Sequence, residues 1–377
     1  MSNVTSARLS ALYFAYFAYV GAFSPYFALY LQSLGQGAFE IGVLLSLLQC
    51  MRIFAPNAWA GMADRSGRHA LLLKLALLAS FAGWVGVFFS ERFWGLFAVL
   101  SVCGFFISAA MPLVESVTLA HLGGDIGRYG QVRVWGSVGF IIAVLGVGAV
   151  LDRSGIGALP ALVWGTLAAA FAISLLVSDA PGGSRRSQNA SVWRVLLRPD
   201  ALRLFAACFL MCLAHGPFYT FFSIYLSDQG YGKALVGSLW SLGVLAEIAV
   251  FMLMPQLFRR FSAQRILAFS FACAVVRFVL IGWLIESLLL LIIAQILHAA
   301  SFGSYHAAAL ALVNRLFGEG QRSRGQALYI SLSYGAGGMA GSVASGLAWE
   351  AVGPAWTFTL ASVAALAGLL LVRKAGG

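Results

Sequence analysis

Eight ionisable side chains lie inside apolar stretches of this chain, and their types limit what they can handle. The acids are Glu115 and Glu247, the bases Arg52, Arg133 and Arg277, and three histidines, His215, His298 and His306, join them. A carboxylate or an imidazole can take up and release a proton. A guanidinium offers a planar fork that fits a carboxylate, on a neighbouring helix or on a bound molecule. In hydrocarbon such groups are costly unless paired or hydrated, so each is a candidate for work on a solute or an ion.

Spacing sharpens some of these. Arg133 follows Glu115 by 18 residues across one short turn. Antiparallel neighbours of that length are expected to bring the two face to face as a desolvated ion pair, either serving a solute or merely stapling two helices. Arg52 precedes Gly61 by nine residues, about 13 Å along a helix, too deep to snorkel easily. His215 stands before Gly216-Pro217, where it can cap carbonyls freed by a kink or touch a solute. His306 reads as a packing histidine. Tyr13, Tyr16 and Tyr19 form a stripe that either lines a cavity or packs between helices.

The elements that must hold these groups are membrane helices. Of 377 residues 61% are hydrophobic and 10% charged, against about 25% charged in soluble proteins, and the mean hydropathy is +0.89. Twelve apolar spans are legible, near 8–33, 39–60, 69–90, 93–118, 130–151, 157–178, 203–227, 234–256, 265–285, 287–313, 326–349 and 353–373. Each is close to the roughly 20 residues that cross a bilayer. The first run exceeds a signal-peptide core and is expected to stay as a helix. The expected class is an all-α membrane protein.

Net charge is +11. With both termini on one face, that face holds 18 of the 24 Lys and Arg residues, the other face three, and three lie at membrane depth. This asymmetry places both termini in the cytoplasm and accounts for the charge without a nucleic-acid partner. The five cysteines fall within spans and lack metal-ligand spacing.

The stretch SDAPGGSRRSQNASVWRVLLRPD (178–200) is the most polar interruption. It sets the expected division: a six-helix bundle at 1–178, a cytoplasmic linker at 179–202 and a second bundle at 203–377. FALYLQSLGQGAFEIGVLLSL (27–47) aligns with FSIYLSDQGYGKALVGSLWSL (222–242) at an offset of 195, and Gly130-Gln131 meets Gly325-Gln326 at the same offset. The halves therefore read as a parallel duplication. Spans five and eleven are glycine-rich, with Gly136, Gly139, Gly146 and Gly148 in one and Gly337 and Gly341 in the other, as close helix packing requires.

Two related six-helix halves resemble the major facilitator fold: twelve transmembrane helices in two pseudo-symmetric bundles, with a solute site near the midplane. GMADRSGRH (61–69) is similar to that superfamily's signature loop, with Gly61, Asp64, Arg65, Gly67 and Arg68 in place. The resemblance implies a gating latch, with Asp64 beside the positive end of the next helix. MPLVES (111–116), GQVRVWGSVGF (130–140), GVLAE (243–247), VVRFVLIG (275–282) and QILH (295–298) resemble the oligosaccharide:proton symporters of the lactose permease type. YGQVRVWGSVGF, LWSLGVLAE, LFRRFSAQ and QILHAASF are similar, more closely, to the 3-phenylpropionic acid transporter family. By that resemblance Glu115 and Arg133 would contact substrate, Glu247 would link substrate and proton, and Arg277 and His298 would belong to the proton-coupling cluster. The sugar symporters' helix-ten acid is Ser301 here, their aromatic platform is Phe140, and span seven offers His215 in place of an acid.

The expectation is a secondary active transporter: a proton symporter of a small aromatic carboxylate, working by alternating access in a bacterial inner membrane. Arg52, Arg133 and Arg277 would meet the carboxylate, aided by Phe140, while Glu247 or His298 holds the proton. The alternatives are a sugar or nucleoside symporter and a drug or metabolite exporter on the same fold. No nucleophile pairing, phosphate loop or metal cluster supports an enzyme, and no cofactor is implied. The expected partners are the solute, protons and the lipid bilayer, with the chain a monomer.

Overall fold

A chain crossing hydrocarbon must satisfy its own backbone, which leaves helices for apolar runs of this length. The computed structural model describes residues 3–123, 125–179 and 193–374; Arg185 and Arg186 of the linker lie outside them. Among the described residues every regular element is helical. Ten spans are separate: Val4–Ser33, Ala38–Ser66, His69–Phe89, Phe93–Leu122, Arg128–Ser154, Ile156–Ser174, Pro199–Asp228, Lys233–Arg260, Ala263–Trp283 and Leu288–Gly318. The last apolar stretch, Gln321–Arg373, has 53 residues, about 80 Å of helix and far more than one crossing needs. It turns at Gly353 (φ 79°), just before Pro354, which makes two crossings, twelve among the described residues.

The duplication is written in the backbone as well. Gly35 and Gly230 take φ 78° and 84°, and Gly123 and Gly318 take 59° and 61°. Both pairs sit 195 residues apart, at turns that only glycine enters without strain. Span one breaks around Pro25, and span seven breaks at His215 before Pro217.

Backbone proximity divides the chain into two compact units. The first holds Met1–Gly37, Phe54–Arg186 and Gly232–Ser238; the second holds Ala38–Ile53, Ser187–Tyr231 and Leu239–Gly377. In the first unit the Asp152 carboxylate accepts the Lys233 N–H at 2.6 Å and the Ala234 N–H at 2.9 Å, capping span eight. Tyr26 donates to the Val144 carbonyl at 2.7 Å. In the second unit the Phe39 N–H donates to Glu350 Oε1 at 2.8 Å, and Gly42 faces the main chain of Ser342 and Gly346. These contacts account for the two short segments that leave chain order.

Candidate functional site

Spans seven to ten of the second unit bring four of the eight ionisable groups together. Arg277 of span nine is wholly buried. Its Nε donates to the Ala294 carbonyl at 3.1 Å, and Nη1 donates toward His215 Nε2 at 3.3 Å and Ser301 Oγ at 3.5 Å. The guanidinium lies 4.0 Å from the Phe218 ring centroid. Among the described residues Nη2 has no hydrogen-bond partner.

His215 stands at the break of span seven, the capping position expected for it. Its Nδ1 meets the Met211 carbonyl at 2.9 Å, one turn back at the span-seven break. That bond requires a proton on Nδ1, so Nε2 is the acceptor facing Arg277. The imidazole caps the break and orients the guanidinium at once.

Next to this group, His298 Nε2 and Glu247 Oε1 stand 2.8 Å apart. Phe302 stacks on the His298 ring at 5.3 Å and 7°, and Phe218 lies 5.3 Å away. Gly243 and Gly303 leave room, since a side-chain carbon on either would touch His298 or Glu247. The chain from Ala299 to Ser304, directly after His298, is π-helical, as is Ile330–Gly337 in span eleven. Such wide turns shift the residues that follow them around the helix axis and recur at functional sites.

The first unit holds the other pair, and here the spacing misleads. Among the described residues no ion pair joins Glu115 to Arg133. Glu115 Oε1 accepts from the Tyr129 hydroxyl at 3.3 Å. Arg133 lies over Phe17, 4.3 Å from the ring centroid, with Tyr13 at 5.5 Å. Depth along neighbouring helices is set by spacing, but direction around each axis is not. Span five packs against span one, where Gly136 and Gly139 admit Phe17 and the Phe14 main chain, and this turns Arg133 toward aromatic rings.

The remaining candidates spread out. Arg52 is exposed and bonds Gln49 Oε1 at 3.1 Å within the second unit. Phe140 is buried, its main chain against Gly21 of span one, so its backbone packs helices. In the signature loop Asp64, Arg65, Gly67 and Arg68 are exposed, and Gly67 takes φ 66°. The carboxylate at the start of span three is not Asp64. Asp179, arriving from the end of span six, accepts the Ala70 N–H at 2.7 Å. Asp64 lies inside the helix that runs on to Ser66, short of the turn that would aim it at that end. His306 is held by the Tyr334 hydroxyl at 3.0 Å, as a packing histidine should be.

Two residues were not foreseen. Gln295 is wholly buried, and among the described residues neither its amide oxygen nor its nitrogen has a partner; its oxygen lies near Gly243. It precedes His298 by three residues and so shares its helix face, which was a usable signal. Tyr129, inside a quoted motif, had no such mark. Among the described residues no three His, Cys, Asp or Glu side chains gather as metal ligands.

The chain matches the model of the MFS_1 like family over residues 6–360. It is 33% identical over 357 residues to a probable 3-phenylpropionic acid transporter of Escherichia coli (strain K12), covering 90% of this chain and 89% of the relative. It is 27% identical over 382 residues to the maltose permease of Geobacillus stearothermophilus, covering 96% and 93%. A crystal structure of the nucleoside transporter NupG shares the fold, with a TM-score of 0.86 at 15% identity over 99% of both chains.

Proposed function

Since this chain belongs to the MFS_1 like family and is a multi-pass secondary transporter of the major facilitator fold, not an enzyme, we propose that it carries small aromatic carboxylates such as 3-phenylpropionate together with protons. Arg133 is the observation on which this reading rests. It is half-buried, stacked on Phe17 at 4.3 Å, and without an ion pair to Glu115. A guanidinium beside phenyl rings offers a phenyl-bearing acid both of its needs: a fork for the carboxylate and an apolar wall for the ring. The name of the Escherichia coli relative agrees with that chemistry.

Proton coupling follows from charge. An aromatic acid is an anion at neutral pH, and moving it inward against the membrane potential costs about 2.3 kcal/mol per charge per 100 mV. A co-transported proton cancels that charge. The Glu247–His298 pair, 2.8 Å apart, is a buried place for it. Arg277 sits in the same group of helices, so the ionised carboxylate already has a compensating cation. A proton carried on this pair offsets the negative charge of the substrate, so that a loaded cycle moves no net charge. The transporter works by alternating access in a bacterial inner membrane, as a monomer, with the arginine-rich face and both termini cytoplasmic.

Proteoliposomes test this directly. Outside acid should drive accumulation of labelled 3-phenylpropionate, and a protonophore should abolish it. 2-Phenylethanol, which has the ring without the carboxylate, should not compete. Uptake that ignores the pH gradient, or that a sugar or nucleoside inhibits better than phenyl acids do, defeats the reading.

A further inference from the structure

Two carboxylates cap helices that belong to the opposite half of the repeat. Asp152, at the end of span five, accepts the N–H groups of Lys233 and Ala234, the first two residues of span eight, at 2.6 and 2.9 Å. Glu350, at the end of span eleven, accepts the N–H of Phe39, the second residue of span two, at 2.8 Å. Phe39 and Ala234 are equivalent under the 195-residue offset. The carboxylates are not: the equivalent of Asp152 is Leu347, and Glu350 lies three residues further on. The second cap is therefore no copy of the first, yet both set an anion on the positive end of an equivalent helix. The turn before each capped helix is tied to its own half. Gln36 donates to the Glu91 carbonyl at 2.9 Å, and its equivalent Tyr231 donates to the carbonyl of Glu286, the equivalent of Glu91, at 2.9 Å. Behind the caps the main chains run close: a Cβ on Gly148 of span five would meet the Lys233 carbonyl, and one on Gly346 of span eleven the Ala38 carbonyl. Each turn is thus anchored to one half, while the helix leaving it is held by a carboxylate of the other.

We propose that Asp152 and Glu350 are paired latches: they hold the outer ends of spans five and eight, and of spans eleven and two, together while the cytoplasmic side is open, and both let go when the outer side opens. This rests on the alternating-access reading above and on the arginine-poor end being the outer one. A hydrogen bond is lost beyond about 3.5 Å, so separating those ends by a few ångströms breaks both caps. The freed N–H groups and carboxylates then pass to water at the membrane surface. Each latch is therefore weak enough to open, biasing the two states by about the fivefold that one surface cap is worth.

Electron–electron double resonance on the full-length protein without substrate tests the proposal. Spin labels go on Gly157→Cys and Leu284→Cys, in outer loops of the two halves, with Cys50→Ala removing the one cysteine that is not buried. Protein without latch variants should give a major short and a minor long distance. Asp152→Ala and Glu350→Ala should each raise the ratio of long to short about fivefold, and the double variant about 25-fold. Asp152→Asn with Glu350→Gln keeps an acceptor at both helix ends and should stay near the starting ratio. Asp179→Ala removes a cap of the same kind at span three, but within one half, and should leave the ratio unchanged. Latch variants with an unchanged ratio, or an Asp179→Ala shift as large as that of Asp152→Ala, overturn the latch alone, since two starting populations uphold alternating access. A single short distance in the starting protein and the double variant alike overturns both.

Discussion

His298 Nε2 and Glu247 Oε1 lie 2.8 Å apart, on spans ten and eight, under a Phe302 ring that stacks on the imidazole. Arg277 lies in the same interior, bonded to His215 and Ser301.

Glu247→Gln removes the acceptor and should uncouple transport. Accumulation driven by outside acid should fall at least about tenfold, a loss of roughly 1.4 kcal/mol or more, while exchange of substrate across the membrane under equal pH continues. Comparison of gradient-driven uptake with counterflow checks this; if both fall together, Glu247 has a structural role only.

Arg133→Lys keeps the charge but loses the fork and the stacking on Phe17. The apparent KM for 3-phenylpropionate should rise about tenfold, with Arg133→Gln worse and Phe17→Ala intermediate. Glu115→Gln should act through the Tyr129 bond and change KM little. An Arg133 variant that transports normally would remove the substrate contact proposed for it.

Gly146 and Gly341 are equivalent under the 195-residue repeat, yet their surroundings differ. A Cβ on Gly146 meets nothing within 4 Å, whereas on Gly341 it meets the Leu213 carbonyl at 2.5 Å. Gly341→Ala should therefore destabilise by about 1–3 kcal/mol, and Gly146→Ala should be neutral or stabilise by up to about 1 kcal/mol. Thermal unfolding of the two variants in detergent gives the comparison, and a similar melting point for both would contradict the packing described.

Asp179→Ala removes the cap on span three and should cost about 1 kcal/mol of stability. Asp64→Ala, in the exposed signature loop, should leave the melting temperature unchanged. The reverse ranking would return the capping role to Asp64.

The buried amide of Gln295 gives a further expectation. Burying a donor and an acceptor without partners is unfavourable by about 1–3 kcal/mol each, so Gln295→Leu should raise the melting temperature. It should also slow transport, because its amide oxygen and the His298 ring, part of the proposed proton site, both lie against Gly243. Faster or unchanged uptake with greater stability would assign Gln295 no part in the cycle.

How far the sequence alone reached can be judged residue by residue. Apolar run length counted the crossings, since bilayer thickness converts directly into residues of helix. The matched stretches at offset 195 announced the duplication, and at Gly35 and Gly230 the shared residue takes a positive φ that glycine enters without strain. Depth marked Glu247, Arg277 and His298 as candidates, since charge in hydrocarbon is costly wherever its helix faces. The direction of each side chain around its axis was not available. That angle depends on which helix packs where, and it decided that Arg133 meets Phe17 and Tyr13 where Glu115 was expected, that Glu115 turns to Tyr129, that Asp179 caps span three, and that His215 reaches Arg277. It also placed Gln295, a neutral residue with no charge to announce it, in the same interior. Composition fixes how deep a residue lies; only helices packed against one another fix what it touches.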